Sequence, residues 1–108
     1  MRIREAKYRV GAVVRHKFYD FRGIVVDVDP VFSNTEAWWQ SIPEDIRPRK
    51  DQPFYHLLAE NDQTEYNAYV SEQNLIPDTS GVALRHPQIR ELFVKSGHTY
   101  KPKFFSAH

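Results

Sequence analysis

The chain of 108 residues contains no cysteine, which excludes disulfide bonds, thiolate metal sites and cysteine nucleophiles. It has no apolar run near the ~18 residues of a membrane span, and its first residues lack the apolar segment of a secretory signal. The net charge is only +1, too small to indicate a uniformly basic surface. With 41% hydrophobic and 27% charged residues, we expect a single soluble, cytoplasmic domain.

Charge is unevenly distributed along this nearly neutral chain. Residues 1–23 carry seven basic and two acidic side chains, a net charge of +5. Residues 24–84 carry three and eleven (net −8), and residues 85–108 carry five and one (net +4). This distribution is compatible with a local basic patch near the N-terminal part. Small domains also show such uneven charge distributions by chance, so a functional basic patch and a chance distribution both stay open as interpretations.

Two apolar, β-branched runs, residues 10–14 and 24–28, flank a short polar and aromatic connection and predict a β-hairpin. Asp20 and Gly23 supply its turn residues, and Pro30 closes the second run. Strict alternation places residues 24, 26 and 28 on a buried face and residues 25, 27 and 29 on a partly solvated face. Residues 1–9 are either a frayed arm or a lead-in to the first strand.

The remaining elements follow from similar signals. Residues 53–60 and 64–70 predict a second hairpin, followed by a 3₁₀-like turn and a short strand that Pro77 terminates. The connection over residues 30–53 has no strand pattern, but one of residues 33–35 can cap a short helix over 36–41. Residues 87–94 predict a helix with Ile89, Leu92 and Phe93 on its apolar face and Gly97 at its end. The tail, residues 95–108, either folds back or is disordered.

These elements predict an all-β single domain. Its fold is a small SH3-like, partly open barrel of about five strands, with its core at about residues 10–76 and a short C-terminal helix.

Catalysis has little support in the sequence. The five histidines show no metal-ligand spacing, and no nucleophile triad or glycine-rich phosphate loop occurs (His16, His56, His86, His98 and His108). Asp27 and Asp29 share one strand face, as a catalytic carboxylate pair would, but this spacing suits a solvated face equally well. We therefore predict a protein that is not an enzyme and has no metal or cofactor.

Two groups of basic residues are candidates for contacts with DNA phosphates. Four belong to the first hairpin and three to the long loop: Arg15, His16, Lys17, Arg22, Arg47, Arg49 and Lys50. An aromatic side chain near the first turn (Phe18, Tyr19 or Phe21) could contact a methyl group in a DNA groove.

A protein partner is the alternative to DNA. Trp38 and Trp39 are adjacent in the long loop, and an exposed Trp there would be a candidate protein contact. We favour packing of this loop as a lid, with one indole anchored to the core and the other more exposed. An exposed barrel edge could add a strand from a partner, and apolar patches could join copies of the chain into a homo-oligomer.

Four motifs in order resemble the HspQ/YccV-like family of hemimethylated-DNA-binding proteins. They are V-R-H at residues 14–16, F-R-G-I-V-V-D-V-D-P-V-F at 21–32, F-Y-H-L at 54–57 and Y-V-S-E-Q-N-L at 69–75. The resemblance covers about residues 10–76 and extends to His86-Pro87 and the helix after it. It implies an SH3-like barrel that can self-associate, and a heat-shock or stress role. It also implies binding of hemimethylated DNA or, alternatively, service as an adaptor that helps the Lon protease select substrates. Asp20 stands where the family pattern leads us to expect glycine, and we expect it to adopt the left-handed backbone of that turn.

Overall fold

The computed structural model describes residues 5–97 and 99–103. In that part of the chain seven strands and two short helices are present. The strands are β1 (Val13–His16), β2 (Arg22–Asp29), β3 (Phe54–Glu60), β4 (Glu65–Ser71), β5 (Leu75–Pro77), β6 (Phe93–Ser96) and β7 (Thr99–Pro102). The helices are α1 (Glu36–Gln40) and α2 (Ile89–Leu92), and 3₁₀ turns occupy Glu44–Ile46 and Glu72–Asn74. None of the described helices is long or apolar enough to cross a membrane.

The first five strands form one antiparallel sheet in the order β4-β3-β2-β1-β5. Both predicted hairpins are present, with Val14 opposite Gly23 in the first and Leu57 opposite Ala68 in the second. The outer strands β4 and β5 do not pair with each other among the described residues, so the sheet is not closed. The predicted all-β, partly open barrel is confirmed.

Helix α1 begins where the sequence predicts. Thr35 is its N-cap, and the Thr35 Oγ1 atom accepts a hydrogen bond of 3.1 Å from the backbone N–H of Trp38. This bond satisfies one of the amide groups that a helix start leaves without a partner.

A β-bulge in β2 changes which of its side chains share a face. Val25 lies opposite Leu57, but Asp27 lies opposite His56, so Val26 is the extra residue. Ile24 and Val25 are both fully buried, on opposite sides of the sheet. Val28 packs with Val25 rather than with Ile24 and Val26. The predicted strict alternation, with residue 25 on a solvated face, is therefore wrong.

Two apolar clusters cover the two faces of the sheet. The inner cluster contains Tyr8, Val14, Val25, Tyr55, Leu57, Ala59, Val70 and Leu75. The second contains Ile24, Leu58, Ile89 and Phe93, with Val26, Leu84 and Tyr100 against it. Because Tyr8 is in the inner cluster and its hydroxyl donates to the Leu75 carbonyl at 3.2 Å, the described part of the N-terminal segment is not a frayed arm.

The C-terminal segment differs from the prediction. The helix predicted over residues 87–94 is a single turn, Ile89–Leu92, and residues 93 and 94 already belong to β6. Leu92 is 42% exposed, whereas Ile89 and Phe93 are buried. Gly97, with φ of +62°, lies in the connection between β6 and β7 instead of ending a helix. The described part of the predicted tail is thus a hairpin that covers the sheet, and residues 104–108 lie outside the described residues.

The predicted turn residues of the first hairpin have other roles. Gly23 is buried inside β2, where a Cβ atom would lie 2.6 Å from the Leu58 carbonyl oxygen and 3.0 Å from the Ala59 Cα. Gly23 is therefore needed for close packing of β2 on β3. No residue other than glycine has a positive φ in the described chain, so the expected left-handed backbone at Asp20 is not present.

We predict that Gly23→Ala lowers the free energy of unfolding by about 1–3 kcal/mol, because the added methyl group forces β2 and β3 apart. Urea unfolding would measure the change. Asn67→Ala, at an exposed position on β4, is the control and should change stability by less than about 0.5 kcal/mol. Equal stability of Gly23→Ala and the native chain would contradict the close packing.

Candidate nucleic-acid interface

The end of β1 and its connection to β2, which together we call the tip (residues 15–21), are organised by His16. This side chain is only 7% exposed. Its Nδ1 atom accepts hydrogen bonds of 3.0 Å from the backbone N–H groups of Phe18 and Tyr19. Its ring stacks on Tyr19 with centroids 4.9 Å apart. Because Nδ1 accepts two bonds, the neutral imidazole suits this site, and burial lowers the pKa of His16. In this structure His16 holds the turn, and its phosphate contact stays a prediction.

The tip presents two cations and two aromatic rings to solvent. Arg15 and Lys17 are exposed, and no acidic side chain of the described residues lies within ion-pair distance of either. Phe18 is 61% exposed and Tyr19 is 48% exposed. Asp20 is also exposed on this turn and reduces its positive potential. The tip thus combines positive charge with apolar surface on a short, hydrogen-bonded turn.

Arg22 lies at the base of the tip and is bound by other parts of the chain. Its guanidinium donates hydrogen bonds of 2.8 Å to Asp78 Oδ2 and to the carbonyls of Val82 and Ala83, and lies 3.6 Å from Glu60. Burial raises the pKa of Asp78, but the hydrogen bonds from Arg22 and Ser80, together with the charge of Arg22, outweigh burial and lower this pKa. The Arg22 side chain joins the sheet to the segment after β5, and a DNA contact of Arg22 stays a prediction that would require it to give up these partners.

The three basic residues of the long loop are used within that loop. Arg47 donates to the carbonyls of Ile42 (2.9 Å) and Gln40 (3.0 Å), and its guanidinium lies 5.0 Å from the centre of the Trp39 ring. Lys50 is paired with Glu36 and lies 4.5 Å from the same ring. The remaining one, Arg49, is exposed and paired with Asp51 at 3.0 Å. Of the seven predicted DNA-contact residues, Arg15 and Lys17 are the two whose side chains have no hydrogen-bond, ion-pair or ring partner within the described chain.

Trp38 and Trp39 are both half-buried, so the expected difference in exposure between them is not found. Trp38 packs edge-on to Tyr69 with centroids 5.3 Å apart and stacks near Phe32. The Trp39 Nε1–H donates to the Pro48 carbonyl at 2.8 Å. The loop is therefore packed as a lid over the sheet, as we favoured, and neither indole presents its whole surface.

A polar network on β2, β3 and β4 was not anticipated. Asp29 Oδ2 accepts a hydrogen bond of 2.7 Å from the Tyr69 hydroxyl and lies 3.0 Å from His56 Nε2. Burial would raise the pKa of Asp29, but these two bonds lower it, while burial and Asp29 raise the pKa of Tyr69 to about 12. Asp27 lies opposite His56 in the sheet. The contacts of Asp29 with His56 depend on the bulge, which the sequence pattern did not reveal.

Asp27, Asp29 and His56 could together offer a metal three ligand atoms, all within 4.8 Å of one another. Asp29 is already hydrogen-bonded to Tyr69 and His56. The Asp27 Oδ1 atom accepts a hydrogen bond of 2.9 Å from the backbone N–H of Val28.

The model of the YccV-like family, described as "Hemimethylated DNA-binding protein YccV like", matches residues 6–100. The chain belongs to the YccV-like family. The match includes the whole five-stranded sheet, the tip and most of the C-terminal hairpin. The family assignment made from the four sequence motifs is thus confirmed.

The buried His16 predicts that this YccV-like domain loses stability in mild acid. Its folded-state pKa is below the ordinary value of 6.5, so the unfolded chain binds a proton first as pH falls. The contribution is therefore complete above pH ~6.5 and is lost below it. His16→Asn keeps an oxygen that can accept the two N–H bonds and does not titrate. We expect the native chain to lose more stability than this variant in urea unfolding between pH 8 and pH 5. Parallel curves for the two proteins would contradict this role of His16.

Proposed function

We propose that this protein binds DNA through the tip, with a preference for hemimethylated sites, and that it acts by binding rather than by catalysis. The observation that carries the proposal is that Arg15 and Lys17, together with Phe18 and Tyr19, are exposed on a turn that His16 orders. The family description supports DNA as the ligand. A cytoplasmic location stays a prediction that agrees with this role.

The chemistry of the tip suits a methylated groove. The major groove of DNA is about 12 Å wide. Because β1 and β2 are also paired with β5 and β3, the part of this hairpin that would enter the groove is the turn at its end. Methyl groups on bases project into this groove, where an exposed ring such as Phe18 can make an apolar contact. Arg15 and Lys17 would contact phosphates on the groove edges, which positions the hairpin but carries no sequence information.

We predict that Arg15→Ala and Lys17→Ala each weaken DNA binding and make the slope of log affinity against log salt less steep by about 0.9. Fluorescence anisotropy with hemimethylated, unmethylated and fully methylated duplexes of one sequence would measure both. Because phosphate contacts are independent of methylation, the affinity ratio among the duplexes should stay the same.

Arg49→Ala is the matched control, since Arg49 is exposed but paired with Asp51 in the long loop. Its affinity should stay close to that of the native chain. Equal affinity of the native chain for all three duplexes would remove methylation sensing from the proposal. A loss caused by Arg49→Ala but not by the tip variants would move the interface to the long loop.

A role as an adaptor for the Lon protease is the second candidate. The feature that favours it is β4, whose outer edge has no strand partner in the described chain. Such an edge can pair with an extended segment of another protein. The packing of Trp38 and Trp39 into the lid leaves less aromatic surface for this purpose than the sequence suggested.

If the adaptor role is correct, adding the protein should speed Lon degradation of a folded substrate in a purified assay. The Arg15→Ala/Lys17→Ala double variant should stimulate equally, because neither residue belongs to β4. An unchanged rate with the native chain would contradict the adaptor role, and loss of stimulation in the double variant would contradict the use of β4.

A further inference from the structure

A groove lies beside the N-terminal end of β1, and the tip lies at the other end of this strand. Residues 9–13 form one side of this groove, the loop over residues 78–82 forms the second, and Lys95 with β7 forms the third. Its volume is about 1070 Å³. We call it the hairpin groove.

Two contacts hold the walls of the hairpin groove in place. Gly11, with φ of +96°, lets the chain approach β7 so closely that a Cβ atom there would lie 2.5 Å from the Tyr100 carbonyl oxygen. On the opposite side, Arg22 binds Asp78 and the carbonyl groups of Val82 and Ala83. The groove is therefore bounded by segments that tertiary contacts fix.

The charge of the hairpin groove is positive. Arg9, Lys95 and Lys101 line it and are exposed, and within residues 5–97 and 99–103 none of them forms an ion pair. Asp78 is the acidic residue of the lining, and its carboxylate is already bound by Arg22 and by the Ser80 hydroxyl. The groove thus offers three cations to a ligand and little opposing charge.

We infer that the hairpin groove binds the sugar-phosphate backbone of DNA next to the site that the tip reads. This inference rests on the proposed function. Val13 borders the groove and Arg15 begins the tip on the same strand, and two residues of extended strand span about 7 Å. At about 3.4 Å per phosphate along one DNA strand, this distance corresponds to roughly two phosphates. A DNA strand that contacts the tip can therefore also reach the groove with its cations Arg9, Lys95 and Lys101.

The test compares two triple variants that remove the same charge. Arg9→Gln/Lys95→Gln/Lys101→Gln neutralises the groove, and Lys7→Gln/Arg49→Gln/Arg90→Gln neutralises three exposed cations outside it. Affinity for hemimethylated and unmethylated duplexes is measured over a series of salt concentrations. The groove variant should make the log–log slope less steep by about 2.7, at 0.9 per lost phosphate contact, and keep the methylation preference. The control variant should change the slope by less than about 1.

Three results would overturn the inference in distinguishable ways. If the native chain binds DNA and the tip variants weaken it, but the groove variant has the native slope, the groove inference fails and the proposed function stands. If the native chain shows no salt-dependent DNA binding, both fail. If the groove variant has the native slope, and sedimentation shows that among all variants it alone loses self-association, the groove holds a second copy of the chain and not DNA. Far-UV circular dichroism and thermal unfolding of all variants establish that they fold.

Discussion

The structure depends on the interaction of Arg22 with two buried carboxylates. Glu60 and Asp78 are 3% and 6% exposed in their side chains, and Arg22 contacts both, with Arg85 as a second partner for Glu60. Buried carboxylates are costly unless they are neutralised and hydrogen-bonded, and removing the cation leaves an uncompensated buried charge. Arg22 also binds two carbonyl groups of the segment after β5. One guanidinium therefore holds β2, β3 and the beginning of the C-terminal cover together.

This constraint separates the structural cations of the protein from those that can meet a ligand. Arg22, Arg47 and Lys50 are surrounded by carbonyls, carboxylates or indole rings of the chain itself. Arg15 and Lys17 extend from a turn whose shape is held by His16. A count of charges along the sequence does not distinguish among these five cations. However, a cation with partners inside the protein must lose them before it can bind a phosphate. The surface that remains is smaller than the sequence suggested and is concentrated along β1.

Local sequence signals were sufficient for much of the fold. The apolar runs predicted both hairpins, a cap among residues 33–35 predicted the start of α1, and Pro77 predicted the end of β5, because each of these depends on neighbouring residues. The bulge at Val26 could not be predicted, since it is defined by the pairing of Val25 with Leu57 and of Asp27 with His56. Gly23 looked like a turn residue, but its small size serves contact with Leu58, 35 positions further along the sequence. Phe93 has helical spacing from Ile89, yet contacts with Tyr100 and the sheet favour a strand there.

The candidate site, like the fold, could be predicted only where it depends on residues that are neighbours in the sequence. The basic and aromatic composition of the tip is visible in the sequence, whereas the partners of Arg22 and the lining of the hairpin groove come from segments far apart in the chain.

The most direct measurement of the central claim is a titration of the ¹⁵N-labelled protein with a short hemimethylated duplex, followed by NMR. The account predicts the largest shifts in the backbone amides of residues 15–21 and no comparable shifts in the long loop over residues 33–51. Shifts confined to the long loop, or no shifts at all, would contradict it.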